Sequence, residues 1–558
     1  MVAAARAGAS TDLLRPEASG SLSWHTLTDT GRSSKMRTPL TPLAFARRAK
    51  ALYGDREAVV DGDQRWTYAQ FLNRCDRWAN ALQRLGVAQR DRVAYIAPNT
   101  HAQLEGFYAV PELGSVLVPL NFRLLPSDWV YMVNHSGSRV LCVHADYLDA
   151  VDAVRHEMPG VEHFVALEGS RKNWLDYEQL LAAATPEFEQ PEIAEDDLLT
   201  INYTSGTTSK PKGVMITHRN AWVNAVGTLV HHPMTCADRY LWTLPMFHAN
   251  GWTFVWIVTA AGGTHVCVRR VDAPTVFRLL SGERVTMLCA APTVLIAIAN
   301  APEALRATAP RGVRVLTAGA PPAAHTIERV EGELGWTITQ AYGLTETSPF
   351  ITFCEPRPEH AALSMADRAR IKARQGVELI TSGELRVVGE DGGDVPRDGA
   401  TVGEIVARGN VVMEGYYHDA EATERAFLGG WFHSGDAAVV HPDGFVEIRD
   451  RLKDVIISGG ENVSSIEVEG VLLRHPSVQE VAVVGLPHET WGESPHAFVV
   501  VRPGATVSEE ELRGFARGQL AGFKIPSGVT FVAELPKTAT GKIQKYVLRG
   551  GRAAIIAQ

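Results

Sequence analysis

Apolar residues at Tyr68, Phe71, Leu72, Cys75, Trp78, Ala79, Leu82 and Leu85 recur at the spacing of one helix face. Thr67 with Gln70 forms a capping-box pattern at the start of that helix, and Gly86 is placed to stop it. Short, largely apolar runs follow at intervals: "DRVAYIAPN", "GSVLVPL", "RVLCVHA", "DLLTINYT", "YLWTLPMF", "GGTHVCV", "VTMLCAA" and "GVRVLTAGA". They read as buried strands, and helix-like stretches separate many of them. Strands alternating with helices predict α/β layers around largely parallel sheets.

From about Gly383 the pattern changes. "GELRVVGEDGGDVPRDGATVGEIVARG" and "DGFVEIRDR" combine close turn signals with short alternating strands, which predicts a small antiparallel barrel. After Arg451, Ser464 and Glu467 form a second capping box that opens "SSIEVEGVLLRHP". The strands "VQEVAVVG" and "HAFVVV", the helix "SEEELRGFARGQL" and the strand "VTFVAEL" complete a unit of ordinary domain size. The expected fold class is α/β. A flexible leader covers 1–35, and a large N-terminal domain of layered α/β subdomains plus a small β-barrel covers 36–450. A small α+β C-terminal domain covers 451–558. The leader lacks a signal-peptide apolar stretch, and Asp12, Glu17 and Asp29 count against a transit peptide.

A length of 558 residues exceeds what one core supports, and 45% hydrophobic residues suffice for several. The net charge of −9 argues against a general nucleic-acid binder. Six cysteines without CxxC spacing point to buried thiols in a reducing compartment, away from zinc sites or disulfides. No apolar run reaches the length of a membrane span, and the end "AAIIAQ" is no peroxisomal tail, so a cytoplasmic location is expected.

Candidate chemistry begins with "YTSGTTSKPKG". The strand "LLTINYT" delivers Thr204 into Ser205, Gly206, Thr207 and Thr208, with Lys210 and Lys212 close behind. Glycines let backbone N–H groups approach phosphate oxygens, hydroxyls add donors, and lysines offset negative charge. This is no Walker A loop, because Ser209 stands where the glycine before the lysine is needed. "TAGAPPA", at the end of the strand "VRVL", is a small-residue turn where α/β proteins place ligands. In "AYGLTETSP", Tyr342 offers a flat face for a purine, Thr345 a hydroxyl and Glu346 a hard carboxylate for Mg²⁺. Asp436, in a turn of "GWFHSGD", suits two sugar hydroxyls, and Arg451 can reach the same nucleotide. Lys542 follows a Thr/Gly loop in "PKTATGKIQK". Taken singly, each of these also describes an ordinary surface loop.

Together and in this order, "YTSGTTSKPKG", "AYGLTE", "GWFHSGD", "RDRLKDVIISGGENVSSIEVE" and "PKTATGKIQK" resemble the core motifs of the adenylate-forming (ANL) superfamily, most closely its acyl-CoA synthetase branch. The resemblance runs from about residue 40 to 549, with Ser209 the departure where glycine is commoner. It implies that residues 204–212, with Thr204, Ser205, Gly206, Thr207, Thr208 and Lys212, hold the β- and γ-phosphates of ATP. Thr204 and Glu346 place Mg²⁺. Gly319, Ala320 and Pro321, with Tyr342, Gly343 and Thr345, line the nucleotide. Asp436 grips the ribose with Arg451 beside it. Lys542 is the cation at the carboxylate and α-phosphate, Lys453 the hinge, and Gly459 and Gly460 the passage for CoA.

The implied reaction is ATP-dependent ligation of a carboxylic acid to CoA through an acyl-adenylate, as in fatty-acid and lipid metabolism. ATP, Mg²⁺ and CoA are the cofactor and cosubstrates, and a homodimer is left open. "PMFHANGWTFVW" puts His248 at the family's gate and Gly251 and Trp252 at its pocket wall. For the tryptophans a plain buried helix is the competing reading. The bulk there suggests a short- to medium-chain acid, branched or aromatic bodies included. A stand-alone adenylating enzyme that loads a carrier-protein thiol is the alternative. The run Arg368, Arg370, Lys372 and Arg374 reads first as a solvated helix face and second as a dock for CoA phosphates.

Overall fold

The helix Tyr68–Arg84 forms where the spacing predicts it. Thr67 accepts from the Gln70 amide, and the Gln70 side chain accepts from Thr67 N at 2.9 Å, so two orphan donors of the first turn are satisfied. Its apolar face is buried, and Trp78 Nε1 donates to the Tyr95 hydroxyl at 2.7 Å, pinning the helix to the strand Arg92–Ile96. The computed structural model describes residues 37–204, 210–452, 454–459, 461–538 and 542–550, so the expected leader lies outside the described residues.

Two large sheets carry the chain. One has eight strands in the order Gly415–Tyr416, Lys212–Thr217, Leu198–Thr204, Val116–Leu120, Arg92–Ile96, Val140–Val143, His163–Ala166 and Leu175–Asp176. The other has nine: Val377–Glu378, Phe350–Phe353, Thr337–Gly343, Arg314–Thr317, Met287–Ala290, Arg239–Leu241, Thr264–Val266, Glu57–Asp61 and Gln64–Thr67. Every apolar run quoted above holds one of these strands. The centres of both sheets are parallel, as expected, while antiparallel pairs lie at both edges of the nine-stranded sheet and at the Gly415–Tyr416 edge of the other. The three strands Met287–Ala290, Arg314–Thr317 and Thr337–Gly343 lie in step, Ala290 beside Thr317 and Thr317 beside Gln340. Their following loops therefore open on one rim, the usual ligand edge of such a sheet.

Glu384–Val388, Gly403–Arg408, Phe432–Val440 and Val446–Arg451 make a four-stranded antiparallel sheet. Beyond it, the strands Val478–His488, Gly492–Val501 and Gly528–Phe531 pack with the helices Ser465–Leu472 and Glu509–Arg517 around Val468, Leu472, Val483, Val499 and Leu512. Only half of the second capping box forms. Ser464 accepts from Glu467 N at 3.3 Å, but the Glu467 carboxylate turns to Lys524 Nζ at 2.7 Å. A charge-assisted partner wins over a neutral amide. Among the described residues no helix is long and apolar enough to cross a membrane. The described cysteines are free thiols, all buried except the part-exposed Cys236.

Candidate active site

Asp436 and Arg451 are directly opposed on adjacent antiparallel strands, and Arg451 Nε lies 2.8 Å from Asp436 Oδ1. The Tyr342 hydroxyl donates to Asp436 Oδ2 at 2.6 Å, so both carboxylate oxygens are engaged from different sides. Asp436 is 4% exposed, and a carboxyl group that deep is costly to bury without such hydrogen-bond partners. Burial first, then the Asp436 charge, pushes the Tyr342 phenol well up, which keeps it a neutral donor. Gly343, next along, is required by space: a Cβ there would lie 1.7 Å from the Pro349 carbonyl oxygen.

Leu198–Thr204 and Lys212–Thr217 form a hairpin in which Thr204 faces Lys212. Ser205, Gly206, Thr207 and Thr208 lie in its loop, outside the described residues. Lys212 Nζ sits 4.6 Å from the centre of the Tyr416 ring, and the Tyr416 hydroxyl donates to Glu346 Oε1 at 2.9 Å. The loop's lysine and the carboxylate thus meet through one phenol. Burial, then the Glu346 charge, keeps that phenol protonated. Tyr416 escapes the sequence reading, because only its pairing with Val214 brings it to the hairpin. Thr204, Glu346 and Thr345 are part-exposed, and Thr204 and Glu346 are the hard oxygen donors Mg²⁺ prefers.

The turn after Arg314–Thr317 presents Gly319 at φ +87°, with Ala320 and Pro321 part-buried behind it. A Cβ on Gly319 would lie 3.6 Å from Trp252, so the turns that carry these two residues adjoin. Trp252 is buried and meets the Phe350 ring edge-on at 5.9 Å. The plain-helix reading holds for Trp256, buried in the helix Phe254–Ala261, and is corrected for Trp252. Ala249, Asn250, Gly251, Trp252 and Thr253 take φ values of 37°, 48°, 55°, 51° and 65°, a left-handed turn, and the right-handed helix starts at Phe254. L-residues in that region cost about 1–2 kcal/mol each, so surrounding contacts must hold the turn. Gly251 fits there because a Cβ would strike the Trp242 ring at 2.5 Å.

His248 precedes that turn, and burial first, then the Lys542 ammonium, pushes it down to about 4. The charge of a motif almost 300 residues further along the chain thus bears on His248. The Lys542 loop is pinched by Thr538, whose hydroxyl accepts from Lys542 N at 3.1 Å while its own N–H reaches Lys542 O at 2.7 Å. Gly459 has φ +61° under the half-exposed Trp491. Gly460 and Lys453 lie outside the described residues. In the basic run, Arg370 pairs with Asp367, Lys372 with Glu331 and Arg374 with Asp443, which supports the helix-face reading over a phosphate dock.

Residues 45–417 match the family model of the AMP-binding enzyme, and residues 467–542 match that of the AMP-binding enzyme C-terminal domain. The 4-hydroxybutyrate–CoA ligase 2 of Metallosphaera sedula is 44% identical over 519 residues, 91% of this chain and 94% of that one. The peroxisomal trans-cinnamate:CoA ligase of Petunia hybrida is 39% identical over 535 residues, 92% of this chain and 94% of its own. The crystal structure of an anthranilate CoA ligase in complex with anthranoyl-AMP aligns with a TM-score of 0.85 at 25% identity, covering 94% of this chain and 100% of that one.

Proposed function

For this chain, which belongs to the AMP-binding enzyme family and is a carboxylic acid–CoA ligase, we propose a short- to medium-chain acid substrate, branched or aromatic bodies included, and a division of the two half-reactions among the residues above. The reaction uses ATP, Mg²⁺ and CoA. A carboxylate is a poor acylating agent because oxide is a poor leaving group. Its oxygen attacks the α-phosphorus of ATP, and the bond to pyrophosphate breaks, which leaves an acyl-adenylate. The CoA sulfur then attacks the acyl carbonyl, the bond to AMP breaks, and the thiol proton is given up to water.

Two anions meet in the first step, so fixed positive charge must stand where they meet. Lys542 supplies it. What supports this assignment is that the Lys542 charge adds to the burial that pushes the His248 imidazole down. A neutral His248 then borders the acid without adding a second charge. Asp436 takes the ribose hydroxyls, held in orientation by Tyr342 and Arg451. Thr204 and Lys212, flanking the phosphate loop, face the β- and γ-phosphates. Glu346 and Thr204 would hold Mg²⁺, which supplies charge neutralisation on the phosphates when bound.

For the second step the domain at 451–558 turns about Lys453, withdraws Lys542 and brings Gly459 and Gly460 to the pantetheine arm. The size of the acid is limited by Trp252, backed by Phe350. That fits both a four-carbon hydroxy acid and a flat aromatic one, the substrates named for the two relatives. The reading extends to a cytoplasmic enzyme working on small molecules, which cell fractionation tests.

Incubation with ATP, Mg²⁺, CoA and acids from acetate to palmitate, with branched, aromatic and hydroxy acids included, tests the proposal by mass spectrometry of products. Acyl-CoA from the smaller acids is expected. Preference for palmitate would overturn the size assignment, and acyl-AMP without acyl-CoA would point to a carrier-protein thiol instead.

A further inference from the structure

The left-handed turn at residues 249–253 is held from below by a closed ring of three hydrogen bonds. Asn250 Nδ2 donates to Thr200 Oγ1 at 2.9 Å, the Thr200 hydroxyl donates to Asn202 Oδ1 at 2.8 Å, and Asn202 Nδ2 donates to Asn250 Oδ1 at 3.2 Å. All three side chains are buried, at 3%, 0% and 2% exposure. Asn202 Nδ2 also reaches the Phe247 carbonyl at 3.0 Å, tying down the chain just before His248. A buried polar ring of this kind is costly unless complete, and complete it specifies one arrangement.

Thr200 and Asn202 are alternate residues on one face of the strand Leu198–Thr204, whose end is Thr204 at the phosphate loop. Asn tolerates positive φ better than other residues with a Cβ, so Asn250 serves both the backbone and the ring. Trp252 does not share that tolerance, yet it is held at φ 51° with its side chain against Phe350 and beside Gly319.

We propose that Asn250 is a positioning residue for acid selection: through the ring with Thr200 and Asn202 it fixes the left-handed turn that sets Trp252 across the acyl pocket, and so it determines which acids fit. This rests on the acyl-pocket reading above and deepens it. Asn250 touches neither acid nor nucleotide in this account and acts through Trp252.

The test measures binding of acyl-sulfamoyl adenosines, non-reactive mimics of the adenylate, from acetyl to octanoyl by calorimetry. Asn250→Ala loses the ring and strains the turn, whereas Asn250→Gly loses the ring and keeps the backbone permissive. For both, the octanoyl-to-butyryl Kd ratio is expected to fall at least about tenfold from wild type. Adding Asn250→Gly to Trp252→Ala is expected to move that ratio by less than about twofold, because the residue through which it acts is gone. An unchanged ratio in the folded single variants, or an equal shift with and without Trp252, overturns the proposal. Thioester formation, followed in parallel in wild type, fails only if the ligase reading fails, so the two failures are told apart.

Discussion

Tyr342 donates its hydroxyl to Asp436 Oδ2 at 2.6 Å, across 94 residues of sequence, while Arg451 holds the other carboxylate oxygen. The Asp436 carboxylate proposed to take the ribose is therefore already oriented by these two side chains. Hydrogen bonds to a charged group are worth about 1.5–3 kcal/mol, and loss of one predicts a tenfold to hundredfold penalty. Asp436→Ala should raise the KM for ATP by about that factor. Tyr342→Phe should raise it less, since Arg451 remains. Equal and negligible effects in both variants would remove Asp436 from the clamp.

Tyr416 orients Glu346 with Lys212 over its ring. Partners of a metal-binding carboxylate commonly carry about tenfold or more in metal affinity. Tyr416→Phe should raise the Mg²⁺ concentration for half-maximal adenylation by about tenfold, with the KM for the acid little changed. An unaltered Mg²⁺ dependence would leave the phenol a packing residue.

Trp252→Ala should open the acyl wall. Each added methylene in an apolar pocket changes discrimination by about tenfold or more, so octanoate should gain on butyrate by at least that factor in kcat/KM. Product masses in competition assays read the ratio directly. A variant that stays most active on the shortest acids would place the size limit elsewhere.

Burial alone pushes His265 down to about 3, and burial first pushes His218 and His232 down to about 4. In the unfolded chain each titrates near 6.5, so as pH falls from about 6.5 towards 4 the unfolded state takes up protons first. Stability should then fall with acid, by about 1.4 kcal/mol per pH unit for each such histidine. His101 has the opposite sign. Burial opposes its charge, but Asp61 and Glu178 raise it to about 9, so its contribution is complete below 6.5 and is lost as pH rises through 9. Urea midpoints of wild type and His232→Gln across the acid range check this. The variant should show a shallower loss, and parallel curves would contradict it.

The layered fold was legible because its strands are buried on both faces, so "GVRVLTAGA" and "VTMLCAA" announce themselves by apolar runs and end at the ligand rim. The candidate residues Tyr342, Glu346 and Asp436 could be singled out because each sits in a contiguous motif. Tyr416, Phe350 and the ring under Asn250 could not, since strand pairing and a left-handed turn bring them to the site. "FHANGWTF" carries an apolar pattern that suits a right-handed helix. The turn runs the other way in the structure, where Thr200 and Asn202 hydrogen-bond to Asn250 from a distant strand. The capping signal at Ser464 misled in part because the sequence does not show Lys524 waiting for Glu467.

The division of labour around Lys542 is tested most directly by running the half-reactions of Lys542→Ala separately. Pyrophosphate release from ATP and acid should fall by about 10²–10³-fold, the usual loss when a transition-state charge partner is removed. Thioester formation from supplied acyl-adenylate and CoA should stay close to wild type. Comparable losses in both half-reactions would contradict a lysine that serves the first step and withdraws for the second.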